Sequence, residues 1–105
     1  MLVVQNDRDN QRLANTVVAQ VTSNTSRSHE PTHLLIEIGT AEVKRTGLLS
    51  DSLVSCVNLA TIGKDQLGKT IGRLPPPLTA KVGDCLTVAL GLPQTAKAGQ
   101  IGSFK

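Results

Sequence analysis

At 105 residues the chain has room for one domain and no more. Its only aromatic residue is Phe104, near the C-terminus, so the core has to be built from Val, Leu, Ile and Ala, and no platform of aromatic side chains exists on which bases could stack. No apolar run is long enough for a membrane-spanning helix, no stretch reads as a secretory leader, and a net charge of +3 tolerates a polyanionic partner without demanding one.

In chain order, "LVVQ" (Leu2 to Gln5) is short, apolar and β-rich and predicts a strand. "NDRDNQRLANT" is polar and rich in turn formers and reads as a loop. "TVVAQVT" (Thr16 to Thr22) predicts a second strand, with Thr16, Val18, Gln20 and Thr22 on one face and Val17, Ala19 and Val21 on the other. "SNTSRSHEP" is a polar loop. "THLLIEI" (Thr32 to Ile38) predicts a third strand with Leu34, Ile36 and Ile38 on one face. "GTAEVKRTG" reads as a loop, "DSLVSCVNLATI" (Asp51 to Ile62) as a long, bent strand, and "KTIGRL" as a short one.

In "PPPLTAKVGDCLTVALGLP", Leu78, Val82, Cys85, Leu86 and Ala89 recur at the spacing of an amphipathic helix. A proline suits its first turn, and Gly91 followed by Pro93 suits its end. "QTAKAGQIGSFK" has no periodicity and reads as a disordered tail over 93–105. The expected architecture is mainly β, a small barrel of about five strands with one C-terminal α-helix. The two cysteines, Cys56 and Cys85, are too few for a disulfide scaffold and lack metal-ligand spacing, so both read as buried free thiols in a reducing cytoplasm.

Two pattern matches compete for attention. "GKDQLGKT" (Gly63 to Thr70) fits the phosphate-loop pattern in full. That motif works only where a helix follows and aims its free N–H groups at the phosphates. Here "IGRL" and then Pro75, Pro76 and Pro77 follow, and they forbid a continuing helix. "HEPTH" (His29 to His33) fits the zinc-protease pattern, but Pro31 pushes Glu30 out of the helical region, so the two imidazoles cannot share one helical face. His29 then reads as an exposed loop residue, and neither a cofactor nor a metal is expected. A Ser–His–Asp hydrolase using His33 and Asp51 lacks the strained turn that would present its serine.

"LVVQND", "TVVAQVTS", "PTHLLIE", "TGLLSDSLV", "ATIGKDQLGKTIGRL" and "KVGDCLTVALGL" follow one another in an order and spacing that resemble the MazF/PemK toxins of bacterial type II toxin–antitoxin pairs. The likeness covers Leu2 to about Leu92, hence a toxin domain over 1–92. It implies a small SH3-like β-barrel of the MazF/CcdB type with a C-terminal helix, paired into a homodimer in the cytoplasm. The implied activity is sequence-specific, metal-independent cleavage of single-stranded mRNA. The 2′-hydroxyl attacks the adjacent phosphate and leaves a 2′,3′-cyclic phosphate and a 5′-hydroxyl. The implied protein partner is a cognate antitoxin with an acidic C-terminal segment.

The family's catalytic threonine matches Thr22, whose hydroxyl suits a hydrogen bond to the phosphate in the transition state. The family's catalytic arginine, in an Arg-Pro pair ahead of the first "VLVV"-type strand, has no counterpart here, and the preceding strand and loop are likewise without one. Ala60 stands where the central strand usually carries a basic residue, and Gly63 where the family usually has an acidic one. Arg8, Arg12, Arg27 and Arg73 are the cations that could substitute, with Arg27 and His33 favoured because they flank the loop that follows Thr22. Without aromatics, RNA contacts fall to polar groups such as Gln20, Ser23, Asn24 and Asn58. The alternatives are a barrel without catalysis that binds only the antitoxin or its dimer mate, and a gyrase poison of the related barrel family.

Overall fold

The computed structural model describes residues 1–39, 41–44 and 46–93. Strands β1 (Leu2–Val3), β2 (Asn15–Thr22), β3 (His33–Ile36) and β4 (Ser52–Gly63) form one antiparallel sheet in the order β1-β2-β4-β3. Helices α1 (Asp7–Arg12) and α2 (Ala41–Lys44) interrupt the connections, and α3 (Pro76–Leu90) closes the described chain. The sheet curls into a half-barrel on which α3 packs through β4 and β3.

β2 divides as its alternation predicts. Ala19 and Val21 join the core with Ile36, Val54 and Cys56, onto which α3 lays Leu78, Val82, Cys85, Leu86 and Ala89. Thr16 and Val18 are buried on the opposite face. The helix ends as expected: Gly91 takes a left-handed φ of 66°, and the N–H groups of Gly91 and Leu92 return to the carbonyls of Val88 and Thr87. Both cysteines are free and buried.

The long fourth strand is bent, as anticipated. Gln20 pairs with Ser55 and Ala19 with Leu59, so Cys56, Val57 and Asn58 have no counterpart on β2. The first part of β4 is therefore sandwiched between β2 and β3, while its second part pairs with β2.

Three segments differ from expectation. "NDRDNQR" holds a helix, α1, rather than a loop. Its signal is capping: the Asn6 side chain accepts from the Asp9 N–H at 2.9 Å, Asp7 and Asp9 occupy the first turn, and Arg12 in the last turn meets Asp9 at 2.9 Å. It has no apolar stripe; amides tie it down instead, with Asn10 bonded to Gln5 in both directions and accepting the Thr16 hydroxyl at 2.6 Å. "AEVK" forms the short α2. "KTIGRL" is not a strand, because Lys69 to Leu74 find no ladder partner, so the sheet has four strands rather than five. The proposed disordered tail from 94 onward lies outside the described residues.

Candidate functional site

The antiparallel registers bring three strands together at one spot. Ser55 on β4 stands opposite Gln20 on β2 and opposite His33 on β3, and Leu53 stands opposite Thr22 and Leu35. Residues directly opposite share a face, so Gln20, Thr22, His33, Leu53 and Ser55 project away from the core that Val21, Leu34 and Val54 build. The loop from β2 to β3 folds over this face. Asn24 accepts the Ser26 N–H on its side-chain oxygen at 3.1 Å, and two further turns run from Thr25 to Ser28 and from Arg27 to Glu30.

The result is an open cavity of about 190 Å³ lined by Gln20, Thr22, Asn24, Ser26, Arg27, His33, Leu53, Ser55 and Asn58. His33, Leu53 and Ser55 are buried and make the floor, whereas Gln20, Asn24, Ser26, Arg27 and Asn58 are exposed on the rim. Asn58 reaches the rim because it lies in the unpaired bend of β4. Arg27 is the one lysine or arginine on the wall.

A chain of hydrogen bonds runs under the floor. The His33 Nδ1 lies 3.2 Å from a Glu30 carboxylate oxygen and 2.9 Å from the Thr32 hydroxyl. With its hydrogen on Nδ1, the ring leaves Nε2 to accept. The Ser55 hydroxyl lies 3.2 Å from Nε2 and in that tautomer donates to it. The Ser55 oxygen in turn accepts from the Asn58 Nδ2 at 2.9 Å. At the other wall the Thr22 hydroxyl oxygen accepts from the Asn24 N–H at 3.1 Å, which leaves its own proton to donate. Behind the floor Cys56 points into the core, where burial pushes its thiol up to about 11 and the neighbouring Cys85 adds to the effect.

Of the residues singled out in the sequence, Gln20, Thr22, Asn24, Arg27, His33 and Asn58 line this one cavity. Ser23 is exposed and lies off its wall, as do Arg8 on α1, Arg12, engaged by Asp9, and Arg73. Sequence reading missed Ser26, Leu53 and Ser55 on the wall and Glu30 behind it. Ser55 carried one faint signal, a hydroxyl inside the otherwise apolar "LVSCV". The two pattern matches do not form sites. His29 is exposed on the loop while His33 is buried in β3. Gly63 ends β4, a single 3₁₀ turn, Lys64–Gln66, follows, and no helix opens after Thr70 before α3. Among the described residues no three His, Cys, Asp or Glu side chains gather as ligands for one ion, and no helix is long and apolar enough to cross a membrane.

A family profile described as PemK-like, MazF-like toxin of type II toxin–antitoxin systems matches residues 1–90. Endoribonuclease EndoA of Bacillus subtilis (strain 168) is 32% identical over 92 residues, which is 88% of this chain and 75% of that protein. Endoribonuclease MazF1 of Mycobacterium bovis is 34% identical over 92 residues, 88% of this chain and 78% of that one. Among solved structures, a mycobacterial endoribonuclease in complex with its cognate antitoxin superposes with a TM-score of 0.73 at 32% identity, covering 90% of this chain and 82% of that one. The Mycobacterium tuberculosis toxin MazF-mt6 superposes with a TM-score of 0.74 at 25% identity, covering 88% and 85%.

Proposed function

The chain belongs to the PemK-like, MazF-like toxin family of type II toxin–antitoxin systems, and from that premise we propose that it is an endoribonuclease that cuts single-stranded mRNA in the cytoplasm without a metal. The observation that carries the reading is the convergence of Thr22, Arg27, Gln20, Asn24 and Asn58 on one open polar cavity. The relatives' names, endoribonuclease in each case, support the activity.

The chemistry is an in-line attack by the RNA's own 2′-hydroxyl, which yields a 2′,3′-cyclic phosphate and a 5′-hydroxyl. DNA lacks the attacking group and is not a substrate. Charge grows on the phosphate oxygens in the transition state, and donors held in advance at that position lower the barrier. In this reading Thr22 is one such donor, supported by the Asn24 N–H that holds its oxygen and leaves its proton to donate. Arg27 supplies the cation on the cavity wall. Gln20, Asn24 and Asn58 offer amide edges to bases and sugars around it.

The protein partners in this reading are a second copy of the chain and a cognate antitoxin, whose acidic segment would compete with RNA for the same polar cavity. The structural relative solved with its antitoxin supports the antitoxin. The test is cleavage of a long single-stranded RNA by the purified chain in excess EDTA, with end-group analysis. Cuts ending in 2′,3′-cyclic phosphate are expected. Binding of antitoxin by a folded protein that leaves RNA intact would overturn the activity.

A further inference from the structure

Thr22 and Arg27 stabilise charge, but neither removes the 2′-hydroxyl proton. An arginine stays protonated and a threonine hydroxyl is far too weak a base at neutral pH. The hydrogen-bonded chain beneath the cavity supplies what is missing.

We propose, on the basis of the ribonuclease reading, that Ser55 is a catalytic residue contacting the 2′-hydroxyl, with His33 and Glu30 as positioning residues behind it, the three forming a relay that takes up the 2′-hydroxyl proton. With the ring hydrogen on Nδ1, the Ser55 hydroxyl gives its hydrogen to His33 Nε2 and accepts from Asn58 Nδ2. A hydroxyl has two lone pairs, so one remains, and Ser55 is part of the cavity floor. A 2′-hydroxyl seated there donates to that lone pair. As the 2′-oxygen bonds to phosphorus and the bond from phosphorus to the 5′-oxygen breaks, the 2′ proton passes to Ser55 Oγ while the Ser55 proton passes to Nε2. The leaving 5′-oxygen takes a proton from water, and the imidazolium later returns its own to solvent.

The surroundings of His33 suit this task. The Glu30 carboxylate lies 3.2 Å from Nδ1, close enough to hold the orientation of the ring. The ring itself is buried, with a side-chain exposure of 4%, and forms part of the cavity floor beside Ser55. Other ionisable groups around it are few: Arg27 on the loop shares the cavity, β4 brings only Cys56, on the far face, and β2 (Asn15–Thr22) has none. Glu30 is therefore the charged group in contact with the ring, and Arg27 lines the same cavity.

The experiment follows RNA cleavage against pH for the full chain and for Ser55→Ala, His33→Gln and Glu30→Gln. Thermal melts and binding of a 2′-deoxy-substituted, uncleavable RNA run in parallel. Ser55→Ala and His33→Gln should lower kcat about 100-fold or more, the size expected for loss of a general base. KM should stay within about twofold, and the acid limb of the profile should disappear. Glu30→Gln should lower kcat about tenfold with KM within about twofold, because the contact that orients the ring is weakened. Glu30 is a part-exposed loop residue, so its variant carries the test if a floor variant does not fold. A wild type that cuts RNA, together with folded variants that keep its kcat and pH profile, overturns the relay and leaves the ribonuclease reading intact. A wild type that cuts no RNA overturns that reading and the relay with it.

Discussion

His33 and Ser55 lie 22 positions apart in the chain and directly opposite each other in the sheet, with Nε2 and Oγ joined at 3.2 Å and both side chains buried in the floor of the cavity. A buried polar pair of this kind is worth little net when made and much more when broken, since the orphaned partner has lost its water. Ser55→Ala and His33→Gln should each cost about 1–3 kcal/mol in urea unfolding. The double variant should fall short of their sum by about 1 kcal/mol, the coupling of two groups in one network. Strict additivity would mean that the two side chains do not interact in solution.

Thr22 allows charge stabilisation to be separated from packing. Thr22→Val keeps the β-branched shape and removes the donor. In the ribonuclease reading it should lower kcat about 100- to 1000-fold, the usual loss for one transition-state donor. Thr22→Ser retains the hydroxyl and should stay within about tenfold of the wild type. Equal losses in both variants would point to shape at that position rather than to the hydrogen bond.

Arg27 should act through the phosphate backbone. If it neutralises one phosphate, Arg27→Gln weakens binding of an uncleavable oligonucleotide similarly for all sequences. It should also reduce the slope of log affinity against log salt by about 0.7, the value for one contact on a single strand. An unchanged slope, measured by fluorescence anisotropy at several salt concentrations, would place Arg27 away from the bound strand.

The Cys56 thiol titrates at about 11 rather than its ordinary 9.0, chiefly because burial disfavours the thiolate, with Cys85 adding to the effect. The unfolded chain therefore deprotonates first. Between those two values the unfolded state binds fewer protons than the folded one, so stability is full below pH 9 and declines as pH rises toward about 11. Iodoacetamide should modify the native protein slowly at pH 8 and quickly once it is unfolded in urea. Fast native alkylation would show that the core between β4 and α3 opens readily.

Legibility tracked how far each signal reaches along the chain. β2 and α3 were readable because period and caps sit within one continuous segment, and Gly91 marks the helix end on its own. α1 escaped because it buries no residue and rests on the Asn6 cap and the Asn10 amide network, which a search for apolar periodicity cannot see. At the site, Thr22 was available through the family likeness, Gln20 and Asn58 as polar groups in a chain without aromatics to stack on RNA, and Arg27 and His33 through their place beside the loop. Ser55 and Glu30 were not, because their roles depend on which residue of β3 faces which residue of β4. That register is set by burying Leu34, Ile36 and Val54 together, a pairing between segments that neither displays alone.

Two glycines should respond to alanine in opposite directions. Gly47 has a φ of 76°, and a Cβ added there would lie 2.3 Å from the Ile71 carbonyl oxygen. The left-handed backbone disfavours any side chain, and the obstacle is main chain rather than a flexible tip, so relief requires moving the 67–75 segment. Gly47→Ala should therefore cost about 1–3 kcal/mol. Gly83 lies inside α3 (Pro76–Leu90), is exposed, and has nothing within 4 Å of the added atom. There the substitution removes only the excess freedom of the unfolded chain, and Gly83→Ala should stabilise by about 0.5–1 kcal/mol. Chemical denaturation of both variants under identical conditions decides the matter. A destabilised Gly83→Ala would mean that this exposed face of α3 is covered in solution, as by a second copy of the chain. A neutral Gly47→Ala would mean that the contact with Ile71 is not maintained.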